Sequence, residues 1–191
     1  FQERPATVVP RMNAQDPSPA HGAAQREFVP VGVAVLTVSD SRTLADDKSG
    51  ALLEERLRAA GHAFHDRVVV PDEPEAIRAQ VLAWADHKAV QAVLVTGGTG
   101  VTRRDVTPDT LEALYDKLIP GFGELFRWLS YREIGSSTIQ SRASAGVVRR
   151  TLVFALPGST NACRLGIDEI ILPQLDARTK PCSFVSLLDR M

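Results

Sequence analysis

The sequence is poor in cysteine, in long apolar runs and in charge of one sign. Two cysteines in 191 residues cannot supply a disulfide framework, and no apolar run approaches the ~20 residues that a membrane-spanning helix requires. Because 22 basic residues face 23 acidic ones, the net charge is −1 and no overall positive field exists to attract nucleic acid or an anionic membrane. These absences predict a cytoplasmic protein that binds its ligands at a local site, with no nucleic-acid partner and no membrane.

The composition itself is that of an ordinary globular domain, with 44% hydrophobic and 24% charged residues. Residues 1–29 differ from the rest, because they hold 4 of the 12 prolines and show no periodic apolar pattern. We expect them to form a disordered or added leader, with residues 30–191 forming the folded domain. Met12 is a candidate native first residue, and two origins of the residues before it stay open, an added remnant or an upstream extension.

Short apolar runs alternate with helical patterns from residue 31 onward. Runs at 33–38, 67–70, 90–95 and 151–156 are typical of strands buried on both faces of a sheet. Helical spacing appears at 48–60, 74–85, 107–118 and 122–134 and again after residue 159, with Pro120 and Gly121 read as the end of the third helix. This alternation predicts one α/β domain of three layers, a doubly wound and mainly parallel sheet covered by helices.

Four polar or glycine-rich loops each follow a predicted strand. They lie at residues 39–42, 71–73, 97–100 and 157–159. In an open parallel sheet all such loops lie at the carboxyl edge, where ligands bind at the point at which the strand order reverses. The four loops are therefore predicted to line one crevice.

The loop Gly97-Gly98-Thr99-Gly100 is the candidate phosphate-binding element. Glycines allow backbone N–H groups to approach an anion closely and permit positive φ angles. The spacing matches neither of the common nucleotide-binding glycine motifs, so for this loop taken alone a tight structural turn is the favoured interpretation.

Aspartates near these loops are candidate Mg²⁺ ligands. Asp105 follows the glycines closely, and Asp72 ends another strand. Mg²⁺ is usually held by one or two carboxylates together with substrate phosphates. The alternative for Asp72, and for Asp109 after Thr107-Pro108, is that the carboxylate only serves a helix N-terminus.

Charge is unevenly spread along the chain. Nine acidic and five basic residues lie between Asp40 and Glu75, whereas six acidic and eight basic residues lie between Leu94 and Arg150. The first stretch suits a metal ion and the second suits phosphate, although solvated surface charge is the ordinary explanation for both. Cys163 and Cys182 have no adjacent histidine, so we expect structural thiols rather than nucleophiles.

Five motifs in fixed order connect the chain to a known family. They are Gly97 to Gly100, the run Arg104-Asp105-Val106-Thr107-Pro108-Asp109, the run Pro120-Gly121-Phe122-Gly123-Glu124, the pair Ser141-Arg142, and Pro157-Gly158-Ser159. From about Val31 to Leu188 the sequence resembles the molybdenum cofactor biosynthesis proteins B and Mog. The segments 130–145 and 157–182 look most like the B proteins.

This resemblance implies a molybdopterin-binding α/β domain and a reaction. The reaction transfers AMP from Mg-ATP to the terminal phosphate of molybdopterin and releases pyrophosphate. It implies that Mg²⁺, ATP and molybdopterin bind here, and that Asp72 and Asp105 are the catalytic and metal-binding residues. The implied substrate-binding and nucleotide-binding residues are Ser39, Asp40, Gly97, Gly98, Thr99, Gly100, Glu124, Ser130, Ser141, Arg142, Pro157, Gly158 and Ser159.

Other properties follow from the same resemblance. It implies partners among the molybdenum cofactor assembly proteins and a homo-oligomer, a trimer or a hexamer built from trimers, of which we predict the hexamer. The alternative function is a non-catalytic protein that binds or carries molybdopterin. The first loop, residues 41–48, is longer than in Mog proteins, which leaves the roles of Ser41 and Arg42 open.

Overall fold

A six-stranded sheet lies at the centre of the protein, and the computed structural model describes residues 26–191 around it. The strands are β1 (Gly32–Val38), β2 (Ala63–Val70), β3 (Ala92–Thr96), β4 (Lys117–Leu118), β5 (Ser144–Val148) and β6 (Thr151–Leu156). Their order is β2-β1-β3-β6-β5-β4. The first four in that order are parallel, and β5 is antiparallel to both β6 and β4. The predicted α/β fold with a mainly parallel sheet is confirmed.

The helices alternate with these strands along the chain. They are α1 (Lys48–Ala59), α2 (Pro74–Ala85), α3 (Thr107–Glu112), α4 (Pro120–Ile134), α5 (Thr160–Gly166) and α6 (Leu172–Gln174). A π-helical turn at Ile167–Ile171 joins α5 to α6, and 3₁₀ turns lie at Gly135–Gln140 and Phe184–Arg190. Residues 1–25 of the predicted leader lie outside the described residues, so the predicted domain boundaries stay a prediction.

Hydrophobic clusters cover both faces of the sheet. Side chains alternate between faces along a strand, so Val33 and Val35 of β1 join the cluster that contains α1, α4 and α5. Ala34 and Leu36 join the cluster on the other face, beneath α2 and α3. Continuous apolar strands are required because neither face meets water. The predicted three-layer arrangement is thereby confirmed.

Two local signals set the ends of α1. The Asp47 side chain accepts a hydrogen bond of 2.9 Å from the Gly50 N–H and so caps the first turn. At the other end Gly61 adopts a φ of 84°, the left-handed conformation that ends helices and that glycine takes without strain. The predicted helix at 48–60 is therefore confirmed to within one residue.

The prediction for residues 107–118 as one helix is wrong. Helix α3 ends at Glu112, and Leu118 belongs to the short strand β4, where its side chain is 54% exposed. Backbone hydrogen bonds to β5 outweigh the helical spacing, since the N–H groups of Asp116 and Ile119 donate to strand carbonyls at 2.8 and 2.7 Å.

Pro120 begins helix α4 rather than ending the helix before it. A proline in the first helical turn loses no hydrogen bond, because that N–H has no partner within the helix. Strand β5 was not predicted, and β2 begins four residues before its predicted start. β2 is an edge strand whose first residues face solvent, so they lack a continuous apolar pattern.

Candidate active site

The four loops singled out in the sequence lie at one edge of the sheet. They follow β1, β2, β3 and β6, and because these strands are parallel neighbours their carboxyl ends meet. β2 and β3 lie on opposite sides of β1, so the order of the strands reverses between β1 and β3. The glycine loop, residues 97–100, follows β3 at this switch point, which is where open α/β sheets bind ligands.

Close backbone approach explains the glycines in this loop. Gly97 and Gly98 have φ angles of 105° and 60°, in the region that favours glycine. A Cβ on Gly97 would lie 2.1 Å from the Val38 carbonyl oxygen of β1, and a Cβ on Gly158 would lie 3.2 Å from the Gly97 Cα. The ends of β1, β3 and β6 therefore pack backbone against backbone at the centre of the crevice.

Asp72 is tied to the first loop rather than to a helix end. Its Oδ2 accepts a hydrogen bond of 3.0 Å from the Asp40 N–H, and Asp40 Oδ1 accepts one of 3.0 Å from the Asp72 N–H. Asp72 Oδ1 lies 2.8 Å from the position of a Cβ on Gly98. Partial burial, followed by the negative charge of Asp40, raises the pKa of the Asp72 carboxyl. The helix-capping interpretation of Asp72 is therefore wrong, because the carboxylate faces the glycine loop.

Arg104 bridges the first two loops. Its Nε and Nη2 donate to Asp40 Oδ2 at 3.1 and 2.7 Å, and its Nη1 donates to Glu73 Oε1 at 3.0 Å. The hydrogen bond from Arg104 holds the pKa of Asp40 below its usual value. Asp40 is thus engaged by Arg104 and by the backbone of Asp72.

Asp105 lies on the other side of the glycine loop. Its Oδ2 is 2.8 Å from the position of a Cβ on Gly100 and accepts a hydrogen bond of 2.8 Å from the Thr102 N–H. Partial burial acts to raise the pKa of Asp105, but hydrogen bonds from Thr102 and from the Gly100 backbone outweigh it and leave the pKa lowered. Asp105 is therefore a stable anion at neutral pH.

The two carboxylates suit Mg²⁺ only in combination with a phosphate ligand. No group of three or more histidine, cysteine, aspartate or glutamate side chains is placed to hold a metal within residues 26–191. Asp72 and Asp105 flank Gly98 and Gly100, and the negative charge of Asp105 contributes to the raised pKa of Asp72. Two hard oxygen donors match the usual protein contribution to a Mg²⁺–phosphate site.

Nine of the residues predicted for the site line one cleft of about 300 Å³ beside the glycine loop. They are Gly98, Thr99, Gly100, Asp105, Ser130, Ser141, Pro157, Gly158 and Ser159. Ser159 also caps α5, since its side chain accepts a hydrogen bond of 3.3 Å from the Ala162 N–H. The structure therefore brings the third and fourth loops together with α4.

The other six predicted residues lie around this cleft. Ser39 and Asp40 line a depression beside β1 and β2, and Glu124 and Arg142 line a second cleft of about 470 Å³, which shares Ser141 with the first. Asp72 and Gly97 line neither cleft. Thirteen of the fifteen predicted residues thus line three separate surfaces rather than one pocket.

Further cleft residues were not predicted from the sequence. They are Phe126, Ile134, Ser137, Thr138, Gln140 and Ala162. Three of them belong to the 3₁₀ turn that begins at Gly135, the residue whose positive φ of 57° ends α4. The cluster of hydroxyl and amide side chains directly after a helix-ending glycine is the signal that could have identified this wall.

The first loop also contacts the fourth. The Ser39 Oγ accepts hydrogen bonds of 3.3 Å from the N–H groups of Ser41 and Arg42. Arg42 Nη1 donates to the Gly158 carbonyl at 3.3 Å, and the Ser49 hydroxyl donates to the same oxygen at 2.8 Å. The backbone N–H of Ser41 is therefore held by Ser39, and Arg42 links two walls of the crevice.

Cys163 has no features of a nucleophile. Its side chain is fully buried, its Sγ lies 3.1 Å from Thr96 Oγ1, and burial raises its pKa to about 11. A neutral thiol at this position serves packing. None of the helices between residues 26 and 191 has the length and apolar character needed to cross a membrane.

Comparison with known proteins gives a consistent set of relatives. A family model described as "Probable molybdopterin binding domain" matches residues 34–177. Molybdenum cofactor biosynthesis protein B of Escherichia coli K12 is 54% identical over 158 residues, which cover 83% of this chain and 93% of that protein. The protein of the same name from Bacillus cereus is 50% identical over 142 residues, covering 74% and 84%. A crystal structure of a molybdenum cofactor biosynthesis protein B superposes with a TM-score of 0.78 at 45% identity, covering 88% of this chain and 100% of that one.

Proposed function

The chain belongs to the family of molybdopterin-binding domains and functions in molybdenum cofactor biosynthesis, and we propose that its reaction there is the adenylylation of molybdopterin with Mg-ATP. One observation carries the proposal. Asp72 and Asp105 flank a positive-φ glycine loop at the switch point of the sheet, next to a cleft that could hold a small molecule.

The proposed reaction needs alignment and charge neutralisation more than a protein nucleophile. An oxygen of the terminal phosphate of molybdopterin forms a bond to the α-phosphorus of ATP. The bond from that phosphorus to the bridging oxygen breaks, and pyrophosphate leaves with the electron pair. Bound Mg²⁺ would neutralise phosphate charge in this step. Asp72 and Asp105 would hold the ion, and the glycine loop allows the phosphates to approach its backbone closely.

The cleft between the glycine loop and α4 suits the pterin. Its volume of about 300 Å³ lies at the lower end of the range for small-molecule sites. Phe126 and Ile134 provide apolar walls, while Ser130, Thr138 and Gln140 provide hydroxyl and amide groups for hydrogen bonds to ring heteroatoms. This combination of flat apolar contact and a few polar groups is what a planar heterocycle requires.

A pyrophosphate-release assay tests the proposal directly. Purified protein given molybdopterin and Mg-ATP is expected to release one pyrophosphate for each adenylyl-molybdopterin formed, and to release none when molybdopterin or Mg²⁺ is omitted. If the complete mixture released no pyrophosphate above the no-enzyme rate, the adenylylation proposal would be refuted.

A second candidate function is a carrier that binds molybdopterin without catalysis. It is favoured by the relatives at 50% and 54% identity, which are named protein B, a name that states a pathway and not an adenylyltransferase. Calorimetry separates the two functions, because a carrier binds molybdopterin but shows no heat on titration with Mg-ATP, whereas the proposed enzyme binds both.

We further propose that the protein is a homo-oligomer in which a second copy covers α4. Leu125, Trp128, Tyr131 and Ile134 are large apolar residues of this helix whose side chains are between 42% and 62% exposed. Ile139, which follows α4, is 82% exposed. An exposed apolar surface of this kind usually marks a protein interface.

Light scattering is expected to give six times the 20.7 kDa mass of one chain, since we predict a hexamer built from trimers. Trp128→Glu is expected to shift the protein toward smaller species, because a carboxylate would be buried in the contact. A monomeric mass for the unaltered protein at micromolar concentration would contradict the proposal.

A further inference from the structure

We infer that Arg142 is a positioning residue, which holds the loop from Gly100 to Asp105 in its working shape and does not itself bind phosphate. The inference rests on the proposed function for its consequence in catalysis. Its structural part stands on the contacts of Arg142 alone and can be tested separately.

The guanidinium of Arg142 joins three parts of the chain. Its Nε donates to the Gly100 carbonyl at 2.7 Å, and its Nη2 donates to the Asp105 carbonyl. Its Nη1 donates to both carboxylate oxygens of Asp109 at 3.0 and 2.9 Å. The Arg142 backbone N–H adds a hydrogen bond of 3.1 Å to the Thr99 carbonyl.

These contacts leave the guanidinium little capacity for a phosphate. An arginine side chain has five N–H donors in a fixed plane on three nitrogens, and the contacts with Gly100, Asp105 and Asp109 engage all three nitrogens. Two of the acceptors are backbone carbonyls of the loop that carries Asp105. A lysine cannot reproduce this set, because its ammonium group lacks the planar fork.

The loop closed by Arg142 is the one that sets the position of the Asp105 carboxylate. Within it, Thr102 donates to Asp105 Oδ2 at 2.8 Å, and the Asp105 N–H donates to the Thr102 carbonyl at 3.1 Å. Arg142 bonds the carbonyls at both ends, Gly100 and Asp105, and thereby fixes the glycine loop relative to the carboxylate. A displacement of about 1 Å at a reacting group can reduce a rate by about 10²-fold.

The contact with Asp109 serves as an internal control. The side chain of Asp109 is 71% exposed, and an ion pair of that exposure contributes little. Asp109→Asn removes the charge of this partner and leaves both carbonyl contacts in place. We therefore expect the carbonyl contacts of Arg142 to hold the loop and Asp109→Asn to have only a small effect.

Amide hydrogen exchange tests the inference without any substrate. In Arg142→Ala we expect exchange in residues 100–106 to become at least about tenfold faster, with exchange in β1, β3 and β6 unchanged. Asp109→Asn is expected to change it less than about threefold. Arg142→Lys keeps the charge and serves as the second variant if the alanine variant does not fold, with the same acceleration expected. Unchanged exchange of this loop in a folded variant would overturn the inference.

Kinetic measurements test the effect of Arg142 on catalysis. With an active unaltered protein, Arg142→Ala is expected to lower kcat about 10²-fold while the Kd for Mg-ATP changes less than about threefold, and added guanidinium is expected to restore part of the rate. A large rise in the Kd with kcat unchanged would instead identify Arg142 as a phosphate ligand and overturn the inference. If the unaltered protein is inactive, the proposed function fails, and the exchange experiment still decides the role of Arg142.

Discussion

Asp105→Ala is expected to lower the rate of pyrophosphate release at least about 10³-fold, while the affinity for molybdopterin changes less than about threefold. Asp105 is held on one side of the glycine loop by the Thr102 N–H, and its lowered pKa keeps it charged at neutral pH. Removing this charge leaves Asp72 as the remaining carboxylate beside the phosphates. Most of the cleft proposed to bind the pterin is untouched, because its walls are formed by α4, by the turn after it and by residues 157–159.

The fold is expected to survive this change. Asp105 is only partly buried, and the substitution removes one hydrogen bond from a backbone N–H, which costs about 1 kcal/mol. Asp105→Asn is the sharper variant, because its amide oxygen can still accept from Thr102 while the negative charge is absent. We expect it to be nearly as inactive as the alanine variant, which would assign the effect to charge and not to loop structure.

Asp109→Asn is the matched control for both variants. Asp109 lies in the same segment, but its carboxylate is 71% exposed and pairs with Arg142 on the side of the second cleft. The rate of pyrophosphate release by Asp109→Asn is expected to stay within about threefold of that of the unaltered protein. A pyrophosphate-release assay measures the rate and calorimetry measures the affinity for molybdopterin on the same preparations. If Asp105→Ala kept more than a tenth of the unaltered rate of pyrophosphate release, the catalytic role proposed for Asp105 would be contradicted.

Strands buried on both faces were predictable because burial imposes a continuous apolar pattern. β6 was predicted with its observed ends, and β1 to within one residue, since each lies between two other strands. β5 was not predicted because Ala145 and Gly146 are small and give no run of large apolar residues. The Tyr115 ring supplies the packing over Gly146 that a larger side chain would otherwise give. That contact joins residues far apart in the chain, so no local pattern contains it.

The candidate site likewise has one part that could be predicted from the sequence and one part that could not. The loops could be predicted to share one edge, because parallel strands place their carboxyl ends together whatever the details of pairing. The engagement of Arg142 by Gly100 and Asp109 could not be predicted, since it depends on contacts 42 and 33 residues apart. From the sequence alone, an arginine near candidate phosphate-binding motifs is interpreted as a phosphate ligand. Only its contacts in the structure distinguish such a ligand from a residue that holds the loop.

The glycine loop supports a second prediction of large effect, on stability. Gly97→Ala is expected to reduce the free energy of unfolding by about 3 kcal/mol or more. At a φ of 105° an alanine is strained by about 1–3 kcal/mol. Its Cβ would also lie 2.1 Å from the Val38 carbonyl oxygen, and relieving that overlap requires the ends of β1 and β3 to separate. Displacements of this kind in a packed interior cost a further ~1–3 kcal/mol.

Gly121→Ala is the matched control, because it adds the same methyl group at a glycine where neither problem exists. A Cβ at Gly121 has no atom within 4 Å, and the residue lies in the first turn of α4, where alanine is the better helix former. It is expected to be neutral or to stabilise the protein by up to ~1 kcal/mol. Urea unfolding at one protein concentration compares the variants, since self-association makes stability depend on concentration. Equal urea midpoints for the two alanine variants would show that the carboxyl ends of β1 and β3 can separate freely. A crevice whose walls move that easily could not align the phosphates of two substrates.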